Sequence, residues 1–437
     1  MKHSFRCLSA LVPRRGGGIA AGAVLWLTLA AVAGGLAGCS DPTVDVVRAQ
    51  RKALGDRNYQ AGKDIDLAVV WNSSNGGFRD GATLAAEEIN AAGGVAGHRI
   101  HLVFTDEAHY LERRSVERTL AEGRYRNALQ QAGTAIAKAV VADPDVTGVI
   151  GHTESSEATL SEMLTYQDNG VLFLSDGTTD SRVMWSSDQL YFQLQPQDEV
   201  LAKRMTAEIK KRKWHTVYFV YDGTRHNEDV VDLLKTQLAR SGIKFSGSMA
   251  LLSGLAKSPE VAGRLQSSLA SLREDHVDAI VLLAPPLLGA QVVRLTRSLG
   301  ILLPYIGTGK LDSPEFIKIA GESAVGTLVT SLYRSESYQV RRFAERYKKR
   351  FPGVVVDEAA TMGYDGVGLY AQGVASAGST DPFLVAQALN YKLPIWYGLL
   401  GTYGFDQGSN TRLDYQIREL VRHKNGKLEF VAADPAN

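Results

Sequence analysis

The chain has 437 residues, 45% apolar and 22% charged, with 48 Lys and Arg against 47 Asp and Glu. That length suits two or three globular domains. The charge balance gives no field that would draw nucleic acid or an acidic surface. Basic runs at 203–213 and 341–350 interleave with apolar residues at helical spacing and read as solvated helix faces.

The chain opens with Lys2, Arg6, Arg14 and Arg15, followed by an uncharged, mostly apolar stretch from Ile19 to Ala37. A basic start, an apolar core and small residues before a cut describe a secretory signal. The stretch is also near the lower length for spanning a bilayer, so an uncleaved anchor is the alternative. Either way the bulk of the chain lies outside the cytoplasm. The segment ends in "LAGC", Leu36 to Cys39, which resembles the bacterial lipobox. That resemblance implies removal of residues 1–38 and lipidation of Cys39. The only other cysteine, Cys7, falls in the removed part, so the body depends on core burial without a disulfide. Residues 39–62 are polar with weak periodicity and read as a lipidated tether.

From Ile65 short apolar runs alternate with helical patterns. "IDLAVVW" (65–71) reads as a strand. Asp80 is a candidate cap for the helix that follows, and Gly93-Gly94 ends it. Strands follow at 99–107, 146–151 and 171–175. A charged helical stretch lies between the first two, at 111–142, and a helix over 156–168 between the last two. The rhythm restarts after Asp198: helix to Lys213, strands at 215–222, 243–251, 277–284 and 304–307, and helices between them. Strands alternating with helices predict α/β layers around parallel sheets, and two runs of the pattern predict two lobes.

Ligands of open parallel sheets sit at the carboxyl ends of strands. There the chain carries "GHTESS" (151–156) and, one strand later, "SDGTT" (175–179). Helix capping accounts for Ser155 or Ser156, and turn chemistry for Thr178 and Thr179; ligand contact is the other reading. No enzyme signature stands. "GTGK" (307–310) lacks the spacing and the Ser/Thr of a phosphate loop. There is no Gly-x-Ser-x-Gly elbow. The nine histidines form no metal-spaced cluster.

Several ordered pieces, from "GATLAAEEINAAGGVAGHRIHLVFTDE" through "VIGHTESSEATLSEM", "GVLFLSDGTT" and "MGYDGVGLYAQGV" to "GTYGFDQGSN", resemble the leucine/isoleucine/valine-binding proteins. These are type I periplasmic solute-binding proteins of ABC transporters. The resemblance runs from Ile65 to about Val421. It implies two Rossmann-like lobes joined by three crossover segments, with a ligand cleft between them. Residues 63–191 plus 333–412 would form lobe 1, and 192–332 plus 413–437 lobe 2. The 106–145 stretch is expected to hold an extra or lengthened surface helix.

By the same resemblance Ser155 matches the serine that holds a ligand carboxylate, with Ser156 beside it, and Gly177 and Thr179 match the small residue and threonine that help. His226 falls where the family has a tyrosine. Pro285 and Pro286 fall where it has an aromatic, and Gly309 where it has a glutamate for the ligand's ammonium. Lys310, beside that gap, would favour an anion if it faced inward and is otherwise a solvated lysine. Asp312 replaces the glutamate only if its loop turns in. Trp71 and Asn72 line the cleft, or Trp71 packs in the core. The function implied is a lipid-anchored, monomeric, non-enzymatic solute receptor on the outer face of a membrane. It would have no cofactor, metal or nucleic-acid partner, and would close on an amino acid, amide or small carboxylate for a membrane permease. The alternative is an envelope lipoprotein of the same fold that senses or scaffolds without transport.

Overall fold

The computed structural model describes residues 42–433, apart from 74–75, 113–121, 153–155, 181–182, 184–188, 252–258, 273–275, 394, 407 and 411. The leader and Cys39 lie outside the described residues. After α1 (Pro42–Gln60), the first lobe runs β1 (Ile65–Trp71), α2 (Gly77–Ala91), β2 (Ile100–Asp106), α3 (Glu107–Glu112), α4 (Glu122–Val141), β3 (Gly148–Gly151), α5 (Ser156–Asp168), β4 (Leu172–Ser175) and β5 (Tyr191–Gln193). All five strands are parallel, in the order β2-β1-β3-β4-β5.

The second lobe runs α6 (Asp198–Lys211), β6 (Thr216–Tyr221), α7 (Arg225–Arg240), β7 (Lys244–Ala250), α8 (Pro259–Ser271), β8 (Ala279–Leu283), α9 (Pro286–Ser298), β9 (Tyr305–Thr308), α10 (Pro314–Ala320) and β10 (Leu328–Ser331). The chain then returns through α11 (Tyr338–Arg350), α12 (Glu358–Ala377) and α13 (Pro382–Gln387). Two short ribbons follow, β11 (Trp396–Tyr397) with β12 (Thr402–Tyr403) and β13 (Phe405–Asp406) with β14 (Ser409–Asn410). Strands β15 (Gln416–Arg422) and β16 (Leu428–Ala432) finish the second sheet, ordered β16-β15-β10-β9-β8-β6-β7. The parallel part of this sheet, β7-β6-β8-β9-β10, repeats the order of the first; β15 and β16 are antiparallel additions.

The apolar runs follow from two-sided cover. In β1, Leu67 and Val69 join Phe78, Ala82, Met362 and Tyr370 on one face, and Ala68 and Val70 join Ile136, Ala137, Val140 and Met163 on the other. In β6, Val217 and Phe219 face one way, and Tyr218 and Val220 the other, onto Ile280 and Leu282. Alternate side chains leave a strand on opposite faces, so a sheet with helices on both sides needs apolar residues throughout. Each fully buried Val, Leu or Phe contributes roughly 1.5–3 kcal/mol. Helices α2 and α12 cross at bare backbone: a Cβ on Gly81 would stand 1.9 Å from the Ala360 carbonyl oxygen, and one on Gly363 2.0 Å from that of Phe78.

The chain passes between sheets three times, at 194–197, 332–337 and 412–415. The passages are bonded to one another and to their surroundings. Asn410 Nδ2 donates to the Leu194 carbonyl at 2.9 Å and its Oδ1 accepts from Leu413 N at 3.2 Å. Arg334 donates to the Leu400 and Asp414 carbonyls at 3.1 and 2.9 Å.

Three sequence readings change. Residues 47–60 are not a free tether: they belong to a helix held against lobe 1, with Arg51 donating to the Val141, Asp143, Pro144 and Val146 carbonyls. Asp80 is no cap; helix α2 begins at Gly77, and Asp80 sits buried in its first turn against Arg79 at 2.8 Å. The charged stretch before β3 holds α4, which covers a sheet face through Ile136, Ala137 and Val140 as well as presenting charge.

Candidate ligand-binding site

Both sheets have their topological switch point between the first and third strands, and the carboxyl edge there is where open parallel sheets place ligands. In the first lobe that edge carries Trp71 after β1, His152 after β3 and Asp176–Thr179 after β4. Backbone bonds draw these turns together: His152 N donates to the Val70 carbonyl at 3.2 Å, and Asp176 N to that of Gly151 at 2.9 Å. Gly177 has no room for a side chain, since a Cβ there would stand 1.9 Å from the His152 carbonyl oxygen. Ser155 lies outside the described residues, as does the side chain of Ser156, the first residue of α5. Trp71 is half-buried under the Arg79 guanidinium, 4.6 Å from its ring centre, and Asn72 is half-buried beside it.

His152 has a left-handed backbone, φ 64°, which costs a non-glycine residue energy. Its ring is fully buried. Nε2 lies 2.7 Å from the Tyr166 hydroxyl, and Nδ1 lies 3.1 Å from Glu162 Oε1 and 3.8 Å from Glu107 Oε1. Burial, with Glu162 and Glu107 next, pushes the Tyr166 hydroxyl well above its usual range. The turn after β3 is thus fixed from beneath by a buried polar group.

Thr179 and His226 prove to be linked. Thr179 Oγ1 donates to Asp198 Oδ1 at 2.5 Å, and His226 Nδ1 stands 3.6 Å from Asp198 Oδ2. Asp198 N also donates to the Thr179 carbonyl at 3.1 Å. Asp198 is the buried first residue of α6. Burial raises its carboxyl pKa, while His226 and the Thr179 hydroxyl lower it. One carboxylate therefore bridges a loop of lobe 1 to the first turn of α7 in lobe 2, and the Thr179 hydroxyl is spent on that bridge.

At the second lobe's edge, Pro285 and Pro286 start helix α9 and supply no aromatic ring. Lys310 sits exposed in a single turn after β9, and its charge acts on Asp176. Asp312 is not free to face a ligand, because Arg418 Nε holds its Oδ2 at 2.7 Å. The place a residue-309 side chain would enter is occupied from elsewhere: a Cβ on Gly309 would lie 3.1 Å from Glu358 Oε2. That oxygen accepts from Ser331 Oγ, Leu332 N and Tyr333 N at 2.8, 3.0 and 3.2 Å, so the first residue of α12 holds the second crossover.

Carboxyls converge here. Asp176 Oδ1 accepts from Gln195 Nε2 at 2.7 Å. Burial pushes its pKa up to about 7, with Glu358 adding and Gln195 and Lys310 opposing. Burial likewise raises Glu358, against its bonds to the crossover, and carries Asp312 to about 6 with Glu358 adding to the shift. Tyr415, in the third crossover, is pushed well up by burial and by Asp198, Glu358 and Asp176. Asp176, Asp198, Glu358 and Asp312 together outnumber Lys310 and Arg418, and the excess favours a cation. The resemblance identified none of Asp176, Asp198, Gln195, Glu358 or Tyr415 as site residues. Asp176 lay inside a quoted motif, and Glu358 follows Asp357, the cap of α12.

The family description "Periplasmic binding protein" matches residues 128–420. The chain belongs to the periplasmic binding protein family. It is 27% identical over 360 residues to Leu/Ile/Val-binding protein homolog 2 of Brucella abortus, covering 81% of this chain and 88% of that one. It is 26% identical over 353 residues to the leucine-, isoleucine-, valine-, threonine- and alanine-binding protein of Pseudomonas aeruginosa, covering 78% and 84%. Among solved structures it resembles an ABC transporter substrate-binding protein of Desulfitobacterium hafniense in complex with Leu, at TM-score 0.68 and 22% identity over 84% of this chain and all of that one. A Rhodopseudomonas palustris solute-binding protein in complex with 3,4-dihydroxybenzoic acid has TM-score 0.67 at 16% identity, covering 85% and 97%. The two-lobed type I fold and the solute-binding, non-enzymatic role follow from this membership. The family also points to an extracytoplasmic location, and no helix among the described residues is long and apolar enough to cross a membrane.

Proposed function

We propose that this chain is the lipid-anchored receptor of an ABC importer and that it captures a small amino acid. The observation that carries the ligand class is the Glu358 carboxylate beside Gly309, whose charge also acts on the Asp176 carboxyl after β4. Burial raises both carboxyls, and a ligand ammonium beside them would favour their ionised forms. The loops after β3 and β4 supply the opposite end, where backbone N–H groups and the helix start at Ser156 suit a carboxylate. Relatives named for aliphatic amino acids support the same class. Ligand contacts made on both lobes only when closed shift the protein to the closed state.

Calorimetry on protein lacking residues 1–39 tests this against amino acids, their amides and the matching carboxylic acids. Binding of the zwitterion, with loss of at least about tenfold for the acid lacking the amine, is expected. Equal binding of the acid would remove the ammonium subsite. Ser155→Ala should weaken a confirmed hit; unchanged affinity would discard Ser155 as a contact. Cys39→Ser should release the protein from membranes in fractionated cells, and retention would discard the lipid anchor.

A further inference from the structure

The N-terminal helix meets lobe 1 along one particular edge. Arg51 is buried and donates to four carbonyls at the end of α4 and in the turn leading into β3, from 2.5 to 3.3 Å. Arg48 Nε donates to the Gln167 carbonyl at 2.6 Å, just before β4. Asn58 Nδ2 bonds Asp145 at 2.8 Å, ahead of β3, and the Tyr59 ring stacks 4.3 Å from His98, ahead of β2. Asp56 accepts from Ser379 Oγ at 2.9 Å, after α12. Every partner before a strand lies at the amino edge of the sheet, opposite the carboxyl edge that bears the site. The contacts are mostly charge-assisted bonds to helix-end and turn carbonyls, which are strong and directional.

We infer that residues 47–60 are a rigid bracket that turns the amino edge of lobe 1 toward the bilayer and keeps lobe 2 away from it. The inference rests on the lipid at Cys39. Seven residues lie between Cys39 and Val47, and the eight extended steps from one to the other reach at most about 28 Å. A compact body of this many residues is roughly 50 Å across. A leash shorter than the body is wide, ending in a docked helix, keeps the edge where it attaches nearer the lipid headgroups than the far edge of lobe 2. Release of the helix would lengthen the leash by the span of residues 47–62 and free the orientation.

The test uses lipidated protein in vesicles of phosphatidylcholine and phosphatidylglycerol containing a headgroup spin-labelled lipid. The mature chain has no cysteine besides Cys39, so single fluorescent labels go on cleanly at Lys63→Cys, by the amino end of β1, or Lys244→Cys, at the amino end of β7. Both positions are exposed. The Lys63 label is expected to be quenched at least about threefold more than the Lys244 label. Arg51→Ala should bring the two values together. Should Arg51→Ala fail to fold, a twenty-residue Gly-Ser insertion between Cys39 and Pro42 should equalise them without touching the bracket. Equal quenching in the parent protein that floats with vesicles overturns the bracket alone. Protein that does not float removes the lipid anchor, and the bracket with it.

Discussion

At the carboxyl edge of the first sheet the chain turns through His152 and Gly177, with the buried His152 ring held by Tyr166 and Glu162. At the same edge of the second sheet it turns through Pro285, Pro286 and Gly309, and the charged group at the gap, Glu358, comes from a helix that follows the second crossover. The parallel strands run in the same order in both lobes. One lobe thus carries its candidate site residues on its own strand-end turns. At the edge of the other lobe the acidic group is supplied by α12, a helix packed against the first lobe. The lesson is that strand order fixes where a site opens, while the residues meeting there come from whichever segments pass the opening.

Substitution at Glu358 should break this comparison hardest. Glu358→Gln keeps an acceptor for the crossover but loses the charge, and affinity for an ammonium-bearing ligand should fall about 10- to 100-fold by calorimetry. A fall in melting temperature with unchanged affinity would make Glu358 a crossover clamp only. Asp198→Ala should come next. It removes the acceptor for Thr179 and the neighbour of His226, costs about 1–3 kcal/mol of stability, and should raise the small-angle-scattering radius of the ligand-free protein.

The Asp176 carboxyl gives two pH slopes of opposite sign. Its folded pKa, about 7, lies above the unfolded value of about 3.9. Between those values the native state keeps a proton that the unfolded chain has lost. Its contribution to stability is therefore full below about pH 4 and declines as pH rises through 7. Asp312, raised to about 6, and Asp365, buried in α12 and raised by that burial to about 7, add in the same direction. Melting temperature should thus fall from pH 5 to pH 8, less steeply in Asp176→Asn. Ligand affinity should rise over the same range, with proton release detected by calorimetry in buffers of different ionisation enthalpy; a falling affinity would sink the ammonium assignment. The smallest effect belongs to Lys310→Ala. Removing an exposed cation next to Asp176 should change affinity by less than about threefold, upward, and the difference should vanish in high salt.

By itself the sequence determined the layered α/β architecture, because two-sided burial demands apolar runs at β1, β3, β4, β6 and β8. It determined the position of the first-lobe turns as well, because the glycines and hydroxyls of 151–156 and 175–179 are contiguous. What it could not carry was any partnership between residues far apart. Glu358 meets residues 331–333 more than twenty positions away, Arg418 meets Asp312, and Asp198 joins Thr179 to His226. The docked helix was hidden for a related reason. Arg51 and Arg48 bind carbonyls rather than an apolar surface, so residues 47–60 show no amphipathic stripe. Burial leaves a periodic trace along the chain, whereas a hydrogen bond between distant segments leaves none, and only the tertiary structure decides it.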